Sequence, residues 1–343
     1  MPGAVGEEEV HGRDVVVIGA SAGGIGAVSG ILRELPGDFP AAILVVVHIP
    51  ATISSALPSV LSRRSSLVAA HPREGEAIER GRVYVAPPDH HLLVEGERVL
   101  LSHGPEENGF RPAIDALFRS AARHHGPRVV GVVLSGALGD GAVGLAEVKR
   151  HGGATVVQDP EDALFNDMPR RAIDVMEPDH VTAAADMHRL LQELVGEPAA
   201  SRAQEEVPRL DGRAARGMRA DGPTGGGDAP GAPSGYTCPE CHGVLWEQGQ
   251  GDSFHFLCRT GHRLSPDSLL HQREREIEGA LYAARRALQE QASLLHRLSE
   301  RLRQRGSTLV TGELAQRAQS VERQAEVLHE WIEDRAGGRR HHP

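Results

Sequence analysis

Aromatic residues make up only 3% of this 343-residue chain, so a core must be filled by Val, Leu, Ile and Ala rather than by large rings. Lysine is nearly absent, with Lys149 the single example among 37 Lys plus Arg. Against 47 acidic residues this leaves a formal net charge of -10, which excludes the basic face that non-specific nucleic-acid binding needs. Long apolar runs are missing too. Ala41 to Val47 falls far short of the ~20 residues of a spanning helix, so no membrane insertion is expected. Met1 to Arg13 is acidic and has no signal-peptide apolar stretch. Cysteine occurs three times, an odd number, within one short stretch. That pattern argues against disulfide stapling and for a reducing compartment, the cytoplasm.

What is present reads first as alternating strands and helices. Asp14 to Ile18 and Ala42 to Val47 are short β-branched runs suited to buried parallel strands. Helices are expected over Gly24 to Leu35 and Ser54 to Arg63. Shorter strands are expected at Val83 to Ala86, Leu92 to Val94 and Val99 to Leu101. Pro112 to Arg123 reads as a helix with proline in its first turn, followed by a strand at Val129 to Leu134, a helix at Val143 to Arg150 and a strand at Ala154 to Val157. This alternation predicts an α/β fold, a doubly wound and mostly parallel sheet, over residues 14–195 after an extension at 1–13. Residues 196–235 are rich in Pro, Gly, Ala, Arg and Asp and read as a flexible linker. A compact module at 236–264 and a helical tail at 265–335 complete the expected organisation.

The chemistry gathers at three strand ends. The first strand runs into Gly19-Ala20-Ser21-Ala22-Gly23, a G-x-S-x-G turn. Small neighbours there let the Ser21 hydroxyl stand clear, and backbone N–H groups such as that of Ala22 can face a developing oxyanion. Alone, such a turn serves equally well as a phosphate cradle. The second strand ends in Val47-His48-Ile49-Pro50, and a later one leads into Ser135-Gly136-Ala137-Leu138-Gly139-Asp140-Gly141. Hydroxyl, imidazole and carboxylate are thus delivered to the same carboxyl edge of the sheet. Ser21 would attack, His48 would take and return the proton, and Asp140 would orient the imidazole. A dinucleotide site would want glycine at position 21 and an acid where His48 stands, and a P-loop would want Gly-Lys. Neither is present.

These stretches, together with Phe110-Arg111-Pro112-Ala113 and Asp115-Ala116-Leu117-Phe118, resemble the catalytic domain of the CheB chemotaxis-receptor methylesterases. The resemblance covers about residues 14–195 and implies hydrolysis of receptor γ-glutamyl methyl esters to glutamate and methanol, often with glutamine deamidation. It places the triad on Ser21, His48 and Asp140. It also makes the Ala137 N–H an oxyanion donor, where the family usually carries methionine. Arg111 either holds an acidic receptor helix or is a first-turn surface arginine. The first catalytic strand begins within about fifteen residues of Met1, so the receiver domain of typical members is not expected. A non-enzymatic adaptor on the same fold, or a general small-ester hydrolase, would share these motifs.

Cys238-Pro239-Glu240-Cys241 followed by Cys258 and His262 has the spacing of a four-ligand zinc ribbon, with His242 and His255 as competing donors. A structural Zn²⁺ is expected there, and no cofactor for catalysis. Downstream, Ile277, Leu281, Ala284, Leu288, Leu295, Leu298 and Leu302, then Leu314, Ala318, Val321, Ala325, Leu328 and Ile332, follow heptad spacing. An antiparallel helical hairpin or a self-association surface satisfies that pattern. The partners expected are methyl-accepting chemoreceptor helices or another methylated signalling protein.

Overall fold

The computed structural model describes residues 12–49, 55–198, 232–248, 254–304 and 308–338. Most of the expected N-terminal extension, Pro50, the helix start at Ser54 and most of the linker lie outside the described residues. Two compact units are present, Met1–Leu269 and Leu270–Pro343.

In the first unit, β1 (Val15–Ala20), β2 (Ala42–Val47), β3 (Val68–Ala70), β4 (Arg82–Val85), β7 (Val129–Val133), β8 (Ala154–Gln158) and β9 (His180–Thr182) form one sheet. Its order is β3-β4-β2-β1-β7-β8-β9 and every pairing is parallel. β5 (His91–Glu95) and β6 (Arg98–Ser102) make a separate antiparallel hairpin. The central strands are unbroken apolar runs because both faces are covered. Val16, Ile18 and Ala20 of β1 point into one core with α1 (Gly24–Glu34), α2 (Leu57–Ser62) and α6 (Met187–Gly196). Val15 and Val17 point into the other, with α3 (Ile114–His125), α4 (Ala142–Arg150) and α5 (Asp167–Val175). This is the doubly wound sheet that the alternation predicts.

Several elements differ from expectation. β3, β9, α5 and α6 are not among the expected elements; β3 and β9 are too short to show a period, whereas α5 and α6 are amphipathic. α3 begins at Ile114 rather than Pro112, because Ala113 is extended (φ −109°, ψ 142°). The linker reading is too long at its C-terminal end: Ala232–Thr237 is β10, antiparallel to β11 (Val244–Gln248). At its other end, Arg13 bonds to Glu197 through side chain and backbone. β12 (His255–Cys258) and β13 (Arg263–Leu264) complete a four-stranded antiparallel sheet.

α7 (Pro266–Gln304) starts in the first unit and continues into the second, where it packs antiparallel on α8 (Thr308–Gly338). Ala292 and Leu295 meet Ala318 and Val321, and the Ser299 hydroxyl donates to the Thr311 carbonyl. Of the heptad positions, Ile277, Ala284 and Leu298 remain exposed.

Candidate active site

The sheet order reverses at β1, whose neighbours β2 and β7 lead away in opposite directions. A crevice opens at the carboxyl ends of strands at such a point. Ser21 follows β1, His48 follows β2 and Asp140 lies in the loop after β7. The Ser21 N–H donates to the Ser135 carbonyl at 3.0 Å, tying the serine turn to the end of β7. Gly23 turns at φ 73°, a left-handed conformation that costs glycine nothing, and α1 starts at the next residue.

His48 Nδ1 lies 3.1 Å from Ser21 Oγ, and its Nε2 lies 2.8 Å from Asp140 Oδ2. The carboxylate requires Nε2 to carry the proton, which leaves Nδ1 free to accept from the serine hydroxyl. The imidazole thus uses its nitrogens in the reverse sense to chymotrypsin-type triads, in which Nε2 faces the serine. One face of the ring is stacked on Phe110, with centroids 3.7 Å apart and planes 5° from parallel. The His48 side chain is only 5% exposed, so the contact shields it and fixes its tilt.

Asp140 is fully buried and each carboxylate oxygen takes two donors. Oδ2 accepts from His48 and from the Ile114 N–H at 2.6 Å. Oδ1 accepts from Asn108 Nδ2 at 2.9 Å and from the Asp115 N–H at 3.2 Å. The two backbone donors are first-turn N–H groups of α3, which have no partner within their own helix. Burial alone would raise the Asp140 pKa. The hydrogen bond and charge of His48, with the Ile114 and Asn108 donors, outweigh it and hold the carboxyl below its usual range. Asp115 answers by capping α4, where its Oδ1 accepts the Gly141 and Gly144 N–H groups. Burial first, and then the Asp140 charge, raise Asp115 to about 7.

Two close approaches make this geometry possible. A Cβ at Gly19 would stand 2.2 Å from Ile114 Cγ2, so the glycine lets α3 bring its Ile114 N–H up to Asp140. A Cβ at Gly136 would meet Met168 Sδ at 2.0 Å and Ser21 Cβ at 2.8 Å.

Of the remaining sequence candidates, Ala22 sits beside Ser21 and its carbonyl accepts the Ser135 hydroxyl. Ala137 lies half-buried in the turn that carries Asp140. Arg111 does not stand free as a surface arginine. Its Nε and Nη2 grip Asp89 Oδ1 at 2.9 and 2.6 Å, and its Nη1 donates to the Gly104 carbonyl, a clamp across the loop before α3. Those bonds use three of its five N–H donors and leave one hydrogen each on Nη1 and Nη2. Asn108, Phe110 and Asp115 take part in the site although motif reasoning gave them no role there. Asn108 and Phe110 lie in an irregular loop, and the capping role of Asp115 depends on a contact 26 residues away along the chain.

Cys238, Cys241, Cys258 and His262 bring one ligand atom each within 4.8 Å of one another, and neither His242 nor His255 joins that group. The Sγ–Sγ separation of Cys241 and Cys258 is 3.6 Å. His262 Nδ1 lies 3.6 Å from Cys238 Sγ and 3.4 Å from Cys258 Sγ. A tetrahedral ion with metal–sulfur bonds of ~2.3 Å and a metal–nitrogen bond of ~2.0 Å would give edges of about 3.5–3.8 Å. The donor set fits zinc. Burial pushes the Cys238 thiol up to about 12. At Cys241 burial is outweighed by bonds from Thr260, Gly243, His262 and Cys258, bringing it to about 6.

Comparison with known proteins agrees with this architecture. The profile of the CheB methylesterase family matches residues 16–191. The chain is 41% identical over 181 residues to a protein-glutamate methylesterase/protein-glutamine glutaminase 2 of Anaeromyxobacter dehalogenans, covering 53% of each. A namesake from Methanosarcina mazei is 38% identical over 170 residues, 47% of this chain and 46% of the relative. The chain thus spans about half the length of these curated relatives. The crystal structure of the Thermotoga maritima CheB methylesterase catalytic domain superposes with a TM-score of 0.51 at 34% identity, covering 53% of this chain and 98% of that one. With serine, histidine and aspartate meeting at the switch point of a matching sheet, the chain belongs to the CheB methylesterase family.

Proposed function

We propose that this protein hydrolyses glutamate methyl esters on chemoreceptor cytoplasmic helices, or on another methylated signalling protein, releasing methanol. The supporting observation is the continuous chain Ser21 Oγ–His48 Nδ1 (3.1 Å) and His48 Nε2–Asp140 Oδ2 (2.8 Å), closed by four donors on the carboxylate. His48 takes the hydroxyl proton as Ser21 Oγ attacks the ester carbonyl, and Asp140 stabilises the imidazolium. The imidazolium then protonates the departing methoxide, and methanol leaves a glutamyl–Ser21 ester. Water, deprotonated by His48, cleaves that ester and restores the free serine. The Ala22 and Ala137 N–H groups are the candidate oxyanion donors. The same steps on a glutamine side chain release ammonia, consistent with the double name of the relatives.

The residues Cys238, Cys241, Cys258 and His262 would hold a structural Zn²⁺, which would stabilise the short β10–β13 sheet. No described helix is long and apolar enough to cross a membrane, which fits a cytoplasmic enzyme meeting receptor helices. The exposed apolar residues Ile277, Ala284 and Leu298, on one face of α7, offer a surface for self-association.

The test is incubation of the full chain with methyl-labelled receptor membranes. Methanol release that disappears in Ser21→Ala supports the reading. Equal release by both proteins sinks it, and turnover of simple esters with none of receptor would point to a general esterase.

A further inference from the structure

We infer that Asn108 is a positioning residue for Asp140, and that the strand-to-helix corner Arg263–Ser265, just after the cysteine cluster, holds Asn108 in register. The inference rests on the hydrolytic reading above and extends the site into a part of the chain that the family match, residues 16–191, does not reach.

Asn108 is 4% exposed and its side-chain amide is fully engaged. One Nδ2 hydrogen goes to Asp140 Oδ1 and the other to Asp115 Oδ2, both at 2.9 Å. Its Oδ1 accepts the backbone N–H of Ser265 at 2.8 Å, a partner 157 residues away. The backbone N–H of Asn108 donates to the Arg263 carbonyl at 2.7 Å, and Glu107 forms a parallel bridge with Arg263. The residue sits at φ 55°, a left-handed conformation that asparagine tolerates better than most side chains.

This bonding decides which way the amide faces. Turned over, Asn108 would present its oxygen to two carboxylates and its NH₂ to the Ser265 N–H, so three attractive contacts would become repulsive. The NH₂ group also bridges two buried carboxyl groups, Asp140 and Asp115, whose charges repel when both are ionised. Asp140 Oδ1 keeps its place, and with it the angle at which Oδ2 meets His48. The corner has a second anchor, Asp267 Oδ2 at 2.5 Å from Arg171 Nε, and both side chains lie alongside Gly139, the residue before Asp140. A segment outside the hydrolase sheet thus sets the orientation of the acid.

The test uses the full-length protein with three readouts. They are kcat and KM for methanol release, the rate at which a fluorophosphonate labels Ser21, and the exchange protection of the Asn108 side-chain NH₂ in ¹⁵N spectra. Asn108→Ala should lower kcat and labelling about 10–100-fold with KM unchanged, the effect of losing a hydrogen bond to a charged group. Ser265→Pro removes the N–H and should lower both about 3–10-fold and strip the NH₂ protection. Ser265→Ala keeps the N–H to Asn108 but loses the hydroxyl that caps Ser268, so it should lower the melting temperature while reducing kcat and NH₂ protection less than Ser265→Pro does. Asp267→Ala, which loosens the corner without touching Asn108, should speed NH₂ exchange and covers the case in which the proline variant does not fold. Parent-like kcat in Asn108→Ala overturns the inference. So do parent-like kcat and protection in both corner variants. If Ser21→Ala still abolishes turnover in that case, hydrolysis stands and only the role of the corner falls.

Discussion

Asp140→Asn is the most searching test of the site, because the change is nearly isosteric and the structure makes it far from neutral. Both oxygens of Asp140 face only donors, His48 and Ile114 on one, Asn108 and Asp115 on the other. An amide has one oxygen and one NH₂, so in either orientation its NH₂ opposes two donors. With the oxygen kept toward His48, two buried donors are orphaned, at ~1–3 kcal/mol each, or ~2–6 kcal/mol of stability. With the oxygen turned away, His48 has to accept at Nε2. Its proton then moves to Nδ1, which points at Ser21 and can no longer serve as base. In chymotrypsin-type triads the corresponding change costs about 10⁴ in kcat. A loss of ~10³–10⁴ is expected here, read as methanol release, with a lowered urea midpoint. Combining it with Asn108→Ala removes one of the opposed donors, so the double variant should be less destabilised than the sum of the singles, by ~1–2 kcal/mol. Strictly additive stabilities, or more than a tenth of parental kcat in Asp140→Asn, would refute the reasoning.

Gly136→Ala should lower kcat about 10²-fold, since the added Cβ meets Ser21 Cβ at 2.8 Å and shifts the nucleophile. Adding Met168→Ala should restore the melting temperature but not the rate. Elemental analysis should find one zinc per chain, lost in Cys258→Ser. Chelation should then open residues 232–264 to protease while β1–β9 stay protected, and unchanged cleavage would count against a structural ion. Asp115, raised to about 7 in the folded chain from an ordinary 3.8, retains a proton that the unfolded chain has already released. Between about pH 4 and pH 7 the native state therefore binds more protons, and this group makes stability fall as pH rises. His91 and His125, lowered chiefly by burial, act in the opposite direction. The readout is therefore the difference between parent and Asp115→Asn, which should shrink the decline; identical pH slopes would refute it.

Much of the fold was legible because its central strands are continuous β-branched runs, each ending in a glycine turn or a histidine. β1, β2 and β7 could be read that way, and the residues that follow them are those the structure brings together, whereas β8 is a similar run that ends in Gln158-Asp159. Three-residue strands such as Val68–Ala70 and His180–Thr182 show no period and borrow their conformation from a neighbouring strand. The helices over Asp167–Val175 and Met187–Gly196 are amphipathic but only nine and ten residues long, and no Gly or Pro turn marks off their starts. Asn108 and Phe110 were invisible for a different reason. Their roles are set by partners far off in sequence, an N–H at Ser265 and a ring at His48. Arg111 looked like a free charge because its partner Asp89 lies 22 residues upstream in an irregular loop.

The first glycine of the G-x-S-x-G turn is ordinarily credited to the serine that follows it. In this protein Gly19 is a spacer for the acid, because the atom its missing Cβ would strike is Ile114 Cγ2. The volume at position 19 is thereby traded against the volume at position 114, at the head of a helix almost a hundred residues on. A relative with alanine in the turn should carry a smaller residue there, and substitutions at the two positions should rescue one another.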